Sequence, residues 1–319
     1  MKRRRPPRGA ALLVAMIVLT LVATLAAGMI WQQSRAIGVE GAERARVQAA
    51  WILGGAMNLG RVLLRLDART PGVDHLNELW ATPLQEASLS SMLAQDRDNN
   101  VVDGAPQAVL SGAITDAQRR YNLRNLVDPA TRKIAPAELE ALGRLCETAS
   151  VPPQTAQLLA QGLQAAWRAE TDGAKDDDEG TGDAPLAPQA VDQLGWLGLD
   201  AESVRRLQPY VELLPEPTPL NINTASPEVL AAVIGLDVAS AKRLESKRPF
   251  KTLQDARGDI PASIPLDPKR LGVGSNYFII AGVLRMDGRV LEERLLVKRD
   301  NRQVLPLART RQALLPATP

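Results

Sequence analysis

An uncharged run of 26 residues near the amino terminus constrains this chain more than any other feature. It extends from Gly9 to Ser34, and as a helix it is long enough to cross about 30 Å of hydrocarbon. Arg35 is the first charge after it. The cations that precede it are Lys2, Arg3, Arg4, Arg5 and Arg8. Because Lys and Arg concentrate on the cytoplasmic side of membrane helices, we expect the amino terminus in the cytoplasm and the rest of the chain across the membrane.

The basic segment and Gly9 come before the apolar run. In a secretory signal peptide the apolar core is shorter and the cleavage site follows it, so this segment differs from a signal peptide in both respects. Its order resembles a prepilin leader, in which a membrane peptidase cleaves after the glycine and the apolar helix stays on the mature protein. Cleavage between Gly9 and Ala10 is therefore expected. The alternative is a single-pass anchor that is not cleaved.

The charge of the chain depends on its first nine residues. The 319 residues include 38 basic and 36 acidic side chains, a formal charge of +2. Loss of residues 1–9 removes five cations and no acid, which leaves 33 basic side chains and a charge near −3. Nucleic-acid-binding proteins usually present a basic face, so this charge disfavours a nucleic-acid partner.

The composition also disfavours an enzyme. Cys146 is the single cysteine and His75 the single histidine, which excludes an intrachain disulfide and a His-rich metal site. The sequence contains no catalytic Gly-rich loop and no metal-ligand spacing. We expect Cys146 to be buried on the apolar face of a helix.

The apolar pattern continues beyond the membrane segment as an amphipathic helix. Apolar residues recur there at alternating steps of four and three. They are Ala45, Ala49, Ile52, Ala56, Leu59, Leu63 and Leu66. The pattern predicts one unbroken helix from about Ala10 to Leu66, roughly 85 Å long at 1.5 Å per residue, that ends before Pro71. We expect this predicted seam to contact partner subunits and in part to cover the chain's own sheet.

The remainder of the chain alternates between strand and helix signals. A strand-like run covers 106–127, a helical region extends from Pro136 to about Arg257, and β character returns over 276–300. The Asp287-Gly288 pair between two apolar runs predicts a β-hairpin. The expected fold is α+β, with a long amino-terminal helix, a small antiparallel sheet and a large all-α insertion between its strands.

Four stretches carry a family resemblance. They are RGAALLVAMIVLTLVATLAAG (8–28), AAWILGGAMNLGRVLLRLD (49–67), ITDAQRRYNLRNLV (114–127) and LQPYVELLPEPTPLNINTASPEVLAAV (207–233). In this order they resemble the K class of type II secretion minor pseudopilins, general secretion pathway protein K. The resemblance implies a single-pass protein of the inner membrane, in contact with its lipid, with most of the chain in the periplasm. The implied partners are other minor pseudopilins of the tip complex, the inner-membrane secretion platform and a prepilin peptidase, and the resemblance also implies methylation of Ala10.

The resemblance also implies a division into segments. These are a leader 1–9, a transmembrane segment 10–33, the pseudopilin helix and first strands 34–127, the all-α insertion 128–257, a carboxy-terminal hairpin 258–300 and a tail 301–319. The implied function is a minor pseudopilin at the tip of the pseudopilus, which helps to initiate its assembly and to export folded proteins across the outer membrane.

Val14 occupies the fifth mature position, where most prepilins have a glutamate. In the family that glutamate neutralises the free amine of a neighbouring subunit. A carboxylate in lipid costs several kcal/mol unless it is paired, so its presence implies a partner. Its absence fits a subunit with no such partner to recruit, and the bulky insertion would likewise block stacking of a further subunit.

An acidic loop at 169–185 has seven acids and one base within 14 residues. Such runs are usually solvated, but clustered carboxylates also bind calcium, which the resemblance implies as a cofactor. Trp167 and GAKDDDE match the family here. The predicted ligands are Asp172, Asp176, Asp177 and Asp178. The residues that stand where acids are expected are Ala166, Ala169 and Lys175.

The stretch at 220–255 resembles a helix-hairpin-helix (SAM-like) motif that grips DNA phosphates. Thr224 or Ser226 can cap its first helix, and Gly235 lies in the hairpin. The DNA-binding version has a second glycine where this chain has Asp237, and a carboxylate there competes for the helix amides and repels phosphate. A structural role is favoured. The alternative function is a membrane-anchored periplasmic DNA-binding protein that uses this motif.

Overall fold

The structure of the protein is a computed structural model that describes residues 8–69, 72–88, 108–172, 185–286 and 288–314. It divides into two compact units, Met1–Gly55 and Ala56–Pro319. Helix α1, Arg8–Asp67, begins in the first unit and continues into the second, so the predicted unbroken helix is confirmed. An 18-residue window of α1 has a mean hydropathy of 2.6 and no buried residue, so α1 can cross a membrane by length and composition.

The second unit contains a five-stranded antiparallel sheet of order β1-β2-β7-β8-β9. Its strands are β1 Leu84–Ser88, β2 Ala108–Asp116, β7 Tyr277–Met286, β8 Arg289–Asp300 and β9 Gln303–Leu314. Two short parallel pairs lie outside the sheet: β3 Tyr121–Asn122 with β4 Val211–Glu212, and β5 Leu220–Asn221 with β6 Leu271–Gly272. The expected α+β class with a small antiparallel sheet is confirmed.

Strands β7 and β8 form the predicted hairpin. Met286 pairs with Arg289, and Gly288 in the turn has φ +72°, which glycine adopts without steric cost. The tail expected from residue 301 is different in the structure, because β9 pairs with β8 over 290–300. Strand β9 is an edge strand with mostly exposed side chains and includes Pro306, so it lacks the alternating apolar pattern that marks a half-buried strand.

The helical insertion lies between β2 and β7 in the sequence, as expected. Its helices are α2 Pro136–Thr148, α3 Gln154–Asp172, α4 Ala201–Leu207, α5 Pro227–Ile234 and α6 Val238–Ser246. Short 3-10 helices lie at Ala117–Arg119, Leu123–Leu126, Val191–Leu197 and Leu253–Asp259. The helices begin where the sequence supplies caps: Pro136 opens α2, and the Asp200 carboxylate accepts from the Ser203 amide at 2.9 Å to start α4.

The insertion has a hydrophobic core of its own, separate from the core between α1 and the sheet. Its fully buried leucines include Leu142, Leu145, Leu159 and Leu163. Cys146 is also fully buried in this core, as the sequence predicts. A small third cluster, in which Leu214 of the insertion packs with Ala117 and with Tyr277 of β7, joins the two parts, and polar contacts add to it.

Candidate functional site

The last turns of α1 pack on the sheet. Met57 and Leu64 of α1 are buried in a cluster with Phe278 and Ile280 of β7. Trp80 meets the Phe278 ring edge-on at a centroid distance of 5.2 Å. Gly60 allows the close approach, since a Cβ atom at this position would lie 2.6 Å from Cγ2 of Ile280.

The buried face of α1 in the second unit differs by one residue from the predicted seam. Its buried positions are Met57, Gly60 and Leu64, each next to a predicted seam residue. Of that seam, Leu59 and Leu66 keep 50% and 46% of their surface exposed. Ala56 and Leu63 are half-buried, and Ala45, Ala49 and Ile52 lie on α1 in the first unit. An α-helical pattern gives the width of an apolar face but not which side meets the sheet.

A groove of about 70 Å³ separates the exposed part of this face from the edge of the sheet. The groove is apolar, with Ala56, Leu59 and Leu63 of α1 on one side and Leu84 of β1 on the other. Gly112 and Gly282, which pair across β2 and β7, form part of its floor. The predicted seam therefore borders an apolar surface that the chain's own sheet does not fill.

A buried carboxylate joins the insertion to the sheet. Asp116 ends β2, and its Oδ2 accepts from Thr224 Oγ1 at 2.5 Å, Ser275 Oγ at 2.6 Å and Asn221 Nδ2 at 3.0 Å. Its Oδ1 accepts from the Gln118 amide at 2.8 Å. Burial raises the pKa of Asp116, and the hydrogen bonds from Ser275 and Thr224 act against that rise. These four hydrogen bonds to Asp116 connect the end of β2 to three segments: the following 3-10 helix, the stretch 221–224 and Ser275.

Arg299 of β8 neutralises a second pair of carboxylates beside this junction. Its Nη1 donates to Asp67 at 2.6 Å, and its Nη2 donates to both oxygens of Asp74 at 2.6 and 2.7 Å. Asp74 also accepts from the Ser275 amide at 2.7 Å. Asp67, Asp74 and Glu78 come within 4.8 Å of one another, as metal ligands do. Arg299 supplies the positive charge there, and burial is the main cause that raises the pKa of Asp67.

Asparagine side chains hold the chain that leads into the hairpin motif. Asn125 makes a two-way contact with Thr218, donating from Nδ2 to the carbonyl at 2.9 Å and accepting from the amide at 3.0 Å. Asn223 does the same with Phe250, at 3.0 and 2.8 Å. Asn122 donates to the Glu216 carbonyl at 2.8 Å. Such side chains replace the missing ladder partners of an irregular backbone.

The sequence analysis missed this junction. Its polar residues lie in ITDAQRRYNLRNLV and LNINTAS, two stretches that carry the family resemblance. A signal is present in the sequence, because Asp, Gln and Asn residues recur there among apolar residues, and buried polar groups need hydrogen-bond partners. Which of them meet could not be inferred, since Asp116 and Asn221 lie 105 residues apart.

The helix-hairpin-helix motif has the geometry that the sequence predicts. Ser226 is the N-cap of α5, Gly235 ends α5 with φ +86°, and Asp237 caps α6 by accepting from the Ser240 amide at 2.9 Å. The Asp237 carboxylate therefore accepts a hydrogen bond from an amide at the start of α6 that a bound phosphate would need. Thr224, the other predicted cap, donates to Asp116 instead.

Two cations of the motif are engaged within the chain. Lys247 donates to Asp259 at 2.5 Å, and Arg248 donates to the Ala225 carbonyl at 2.5 Å with its side chain only 9% exposed. Arg144 and Arg270 donate to the Ala232 and Val233 carbonyls at the end of α5, where cations favour the helix dipole. These contacts stabilise the motif and leave fewer of its cations available to bind a phosphate group.

The remaining predicted sites are only partly described. Gly9 and Ala10 lie in the first turn of α1, and Val14 is an exposed residue of the same helix. Asp172 ends α3, whereas Asp176, Asp177 and Asp178 lie outside the described residues. Calcium binding by these residues stays a prediction.

Two family models match the sequence, and both are described as type II secretion system (T2SS), protein K. One matches residues 119–216 and the other residues 220–267. The matched segments cover most of the insertion, including the helix-hairpin-helix motif.

The chain is also similar over most of its length to curated proteins. It is 30% identical to type II secretion system protein K of Pseudomonas aeruginosa over 309 residues, which cover 90% of this chain and 87% of that protein. It is 31% identical to type II secretion system protein K of Klebsiella pneumoniae over 261 residues, which cover 76% of this chain and 73% of that protein.

A solved structure has the same fold. It is a chain of the crystal structure of the GspK-GspI-GspJ complex from the enterotoxigenic Escherichia coli type 2 secretion system. The match has a TM-score of 0.63 at 21% identity and covers 85% of this chain and 98% of that chain. At this identity the likeness concerns the fold.

Proposed function

This chain belongs to the type II secretion system protein K family and is a minor pseudopilin of that system, and from this premise we propose that it occupies the tip of the pseudopilus. There it helps to initiate assembly of the filament and to export folded proteins across the outer membrane. The proposed role is structural, with no catalytic step assigned to the chain. The insertion between β2 and β7 is the observation that carries this proposal.

The insertion favours a terminal position for steric reasons. Its described residues form five α-helices and a core of their own, so it is a packed body and not a loop that a neighbour could push aside. A further subunit stacked on this side of the sheet would have to displace it. Subunits within a filament lack room for such a body above them.

Val14 supports the same position. A glutamate there would need a neighbouring amine in the membrane, because an unpaired carboxylate in hydrocarbon costs several kcal/mol. A terminal subunit recruits no subunit above it, so a valine is compatible with the tip.

We propose other minor pseudopilins as partners, contacted through the predicted seam. The related chain of known structure was solved in a GspK-GspI-GspJ complex. Leu59 and Leu66 are about half exposed beside the apolar groove, which supports their use in helix–helix contacts. Ala45, Ala49 and Ile52 extend the seam towards the membrane.

The proposal includes an inner-membrane location. A single apolar helix near the amino terminus fits a membrane-anchored component of the secretion system. The cations at 2–8 support a cytoplasmic amino terminus and a periplasmic location for the rest. In this position the leader meets the prepilin peptidase, and α1 lies beside the secretion platform in the lipid.

Labelling of isolated pseudopili tests the tip position. A gold-labelled antibody against the insertion is expected at one end of each filament. A photocrosslinking residue at Leu59 or Leu66 is expected to capture a minor pseudopilin, whereas the same residue at Lys242, exposed on α6, is not. Label distributed along the filaments would contradict the proposal, whatever the crosslinks show.

The helix-hairpin-helix motif supports the alternative function, a periplasmic DNA-binding protein, less well than it supports a structural role. Asp237 caps α6, and Lys247 and Arg248 are engaged within the chain. We expect no binding to duplex DNA at low salt in filter assays. Binding with a steep salt dependence would reverse this view, because the slope counts the phosphates neutralised.

A further inference from the structure

A cleft of about 350 Å³ lies beside the amino-terminal end of α5. We call it the arginine cleft. Its lining residues include Arg119, Arg120, Tyr210, Ser226, Glu228 and Val229. They come from the 3-10 helix after β2, the segment before β4, and the first turn of α5. The cleft lies on the insertion, outside the seam of α1, and no step of the proposed function uses it.

The arginine cleft contains hydrogen-bond donors without acceptors. Among the described residues, none accepts a hydrogen bond from the half-buried Arg119 side chain or pairs with it as an ion, and none accepts from the Tyr210 hydroxyl. Arg120 donates Nη1 to Glu212 at 3.1 Å. A guanidinium group has five N–H donors, so Arg119 can hold an oxyanion in a bidentate contact.

Arg248 adds positive charge next to the cleft. It donates to the carbonyl of Ala225, the neighbour of Ser226, and within the described residues its buried Nε has no hydrogen-bond partner. Burial lowers the pKa of Arg248 to about 10, and the charge of Arg119 contributes in the same direction. Two partly desolvated guanidinium groups therefore repel each other, and an anion bound at Arg119 would reduce that repulsion.

The acids around the cleft leave room for one carboxylate group and disfavour a ligand with dense negative charge. Glu212 pairs with Arg120, and Glu245 lies 3.6 Å from Arg248. Glu228 lines the cleft without an ion-pair partner among the described residues and would repel a polyanion. The net charge near −3 of the mature chain likewise disfavours nucleic acid or an anionic membrane.

We propose that the arginine cleft binds a carboxylate side chain from an acidic segment of a partner protein, with Arg119 as the bidentate donor. The chemistry is a charge-assisted pair between a planar guanidinium and a planar carboxylate. Arg120 and Tyr210 supply further donors at the rim. The cleft is large enough for the acidic side chain and part of its backbone.

Binding of an acidic peptide to the full chain in a nonionic detergent tests the proposal. The probe is a fluorescein-labelled Gly-Glu-Gly-Glu-Gly peptide with an amidated carboxyl terminus, followed by anisotropy at low salt. We expect saturable binding that R119Q weakens about tenfold, since a charge-assisted hydrogen bond is lost. We expect E228Q to strengthen binding about threefold, because it removes a like charge from the same cleft.

The matched control is R168Q. Arg168 borders the other basic pocket of the insertion, with Arg124 and Arg132, and its substitution is expected to leave binding unchanged. The opposite effect of E228Q gives a readout that does not depend on the folding of R119Q.

The proposal would be overturned if the wild type showed no saturable binding, if R168Q and R119Q lost equal affinity, or if E228Q bound the peptide more weakly. Binding only of a peptide with a free terminal carboxylate, or displacement of the peptide by equimolar inorganic phosphate, would also overturn it.

Discussion

Single buried polar residues determine how the insertion is held on the sheet. Asp116 accepts four hydrogen bonds from residues of three segments, and Arg299 joins α1 to β8 through Asp67. The two hydrophobic cores are joined by a small cluster of Ala117, Leu214 and Tyr277, and these polar contacts add to that coupling. Removal of one partner leaves the others buried and unsatisfied, which costs more than the bond itself contributed.

D116N is expected to lower the free energy of unfolding by about 2–4 kcal/mol. In either orientation the amide places an NH2 group where an oxygen now accepts, from Asn221, Thr224 and Ser275 at Oδ2 or from the Gln118 amide at Oδ1. Urea unfolding of the full chain in detergent measures the change. Asp192→Asn, at an exposed position, is the control and should leave the midpoint unchanged. Equal midpoints for D116N and the wild type would contradict the role of Asp116.

The effect of D116N should depend on pH. Burial raises the pKa of Asp116 above its ordinary value of 3.8. A group with a raised pKa stabilises the fold fully below its unfolded pKa, and this contribution is lost as the pH rises through the folded pKa. The difference in unfolding free energy between wild type and D116N should therefore be larger at about pH 4 than at about pH 7. A larger difference at neutral pH would show that the carboxylate, not the carboxyl, is favoured.

Cys146 should be inert in the folded protein. It is fully buried, and burial raises the pKa of its thiol to about 11, so little thiolate forms at neutral pH. Maleimide labelling of native protein is expected to be negligible and to become complete in urea. Rapid labelling of the native chain, or a disulfide-linked dimer, would show that the core around α2 opens.

At the scale of elements, α1 has two different apolar faces in its second half. One face, at Met57, Gly60 and Leu64, lies on the sheet, and the adjacent face, with Leu59 and Leu66, is half exposed. Glycines distinguish these faces, because Gly60 approaches Ile280 closely while a Cβ atom on Gly55 would meet nothing within 4 Å.

Opposite effects are expected for alanine at these two glycines. G60A should destabilise the chain by about 1–2 kcal/mol, since the added methyl overlaps Ile280. G55A should stabilise it by about 0.5–1 kcal/mol, because alanine is the better helix former. Thermal unfolding of both variants in detergent measures the difference. Stabilisation by G60A would mean that α1 does not contact the sheet at this point.

At the scale of the whole molecule, the first nine residues determine the sign of the net charge of the chain. Their five cations turn a polypeptide near −3 into one of +2. In the proposed orientation they hold the amino terminus in the cytoplasm, because Lys and Arg concentrate on that side of membrane helices. A peptidase that removes them leaves a shorter, acidic protein with the same anchor.

Intact-mass measurement on protein from membranes should give a chain that begins at Ala10. G9L is expected to retain residues 1–9, because the peptidase acts after a glycine in the leaders that this one resembles. The control is G28L, at a second glycine of α1 with open space around it, which should be processed like the wild type. A wild-type chain that begins at Met1 or after Gly28 would contradict a prepilin-type leader.

Much of the fold could be predicted from local patterns. The uncharged run, the amphipathic continuation of α1, the β7–β8 turn at Gly288 and the cap at Asp237 are each set by residues within a few positions of one another. Strand β9 could not be predicted, because its hydrogen bonds come from β8 while its side chains stay exposed. Edge strands carry little periodic signal.

The sequence by itself determined that this chain has a long, apolar amino-terminal helix, an antiparallel sheet and a helical insertion, since hydropathy and turn chemistry act over short distances along the chain. Only the tertiary structure decided which face of α1 lies on the sheet, that Asp116 meets Asn221, Thr224 and Ser275, and that Arg119 is left without an acceptor among the described residues. Burial and hydrogen bonding between distant segments depend on the tertiary fold, and short sequence patterns do not show which distant residues come into contact.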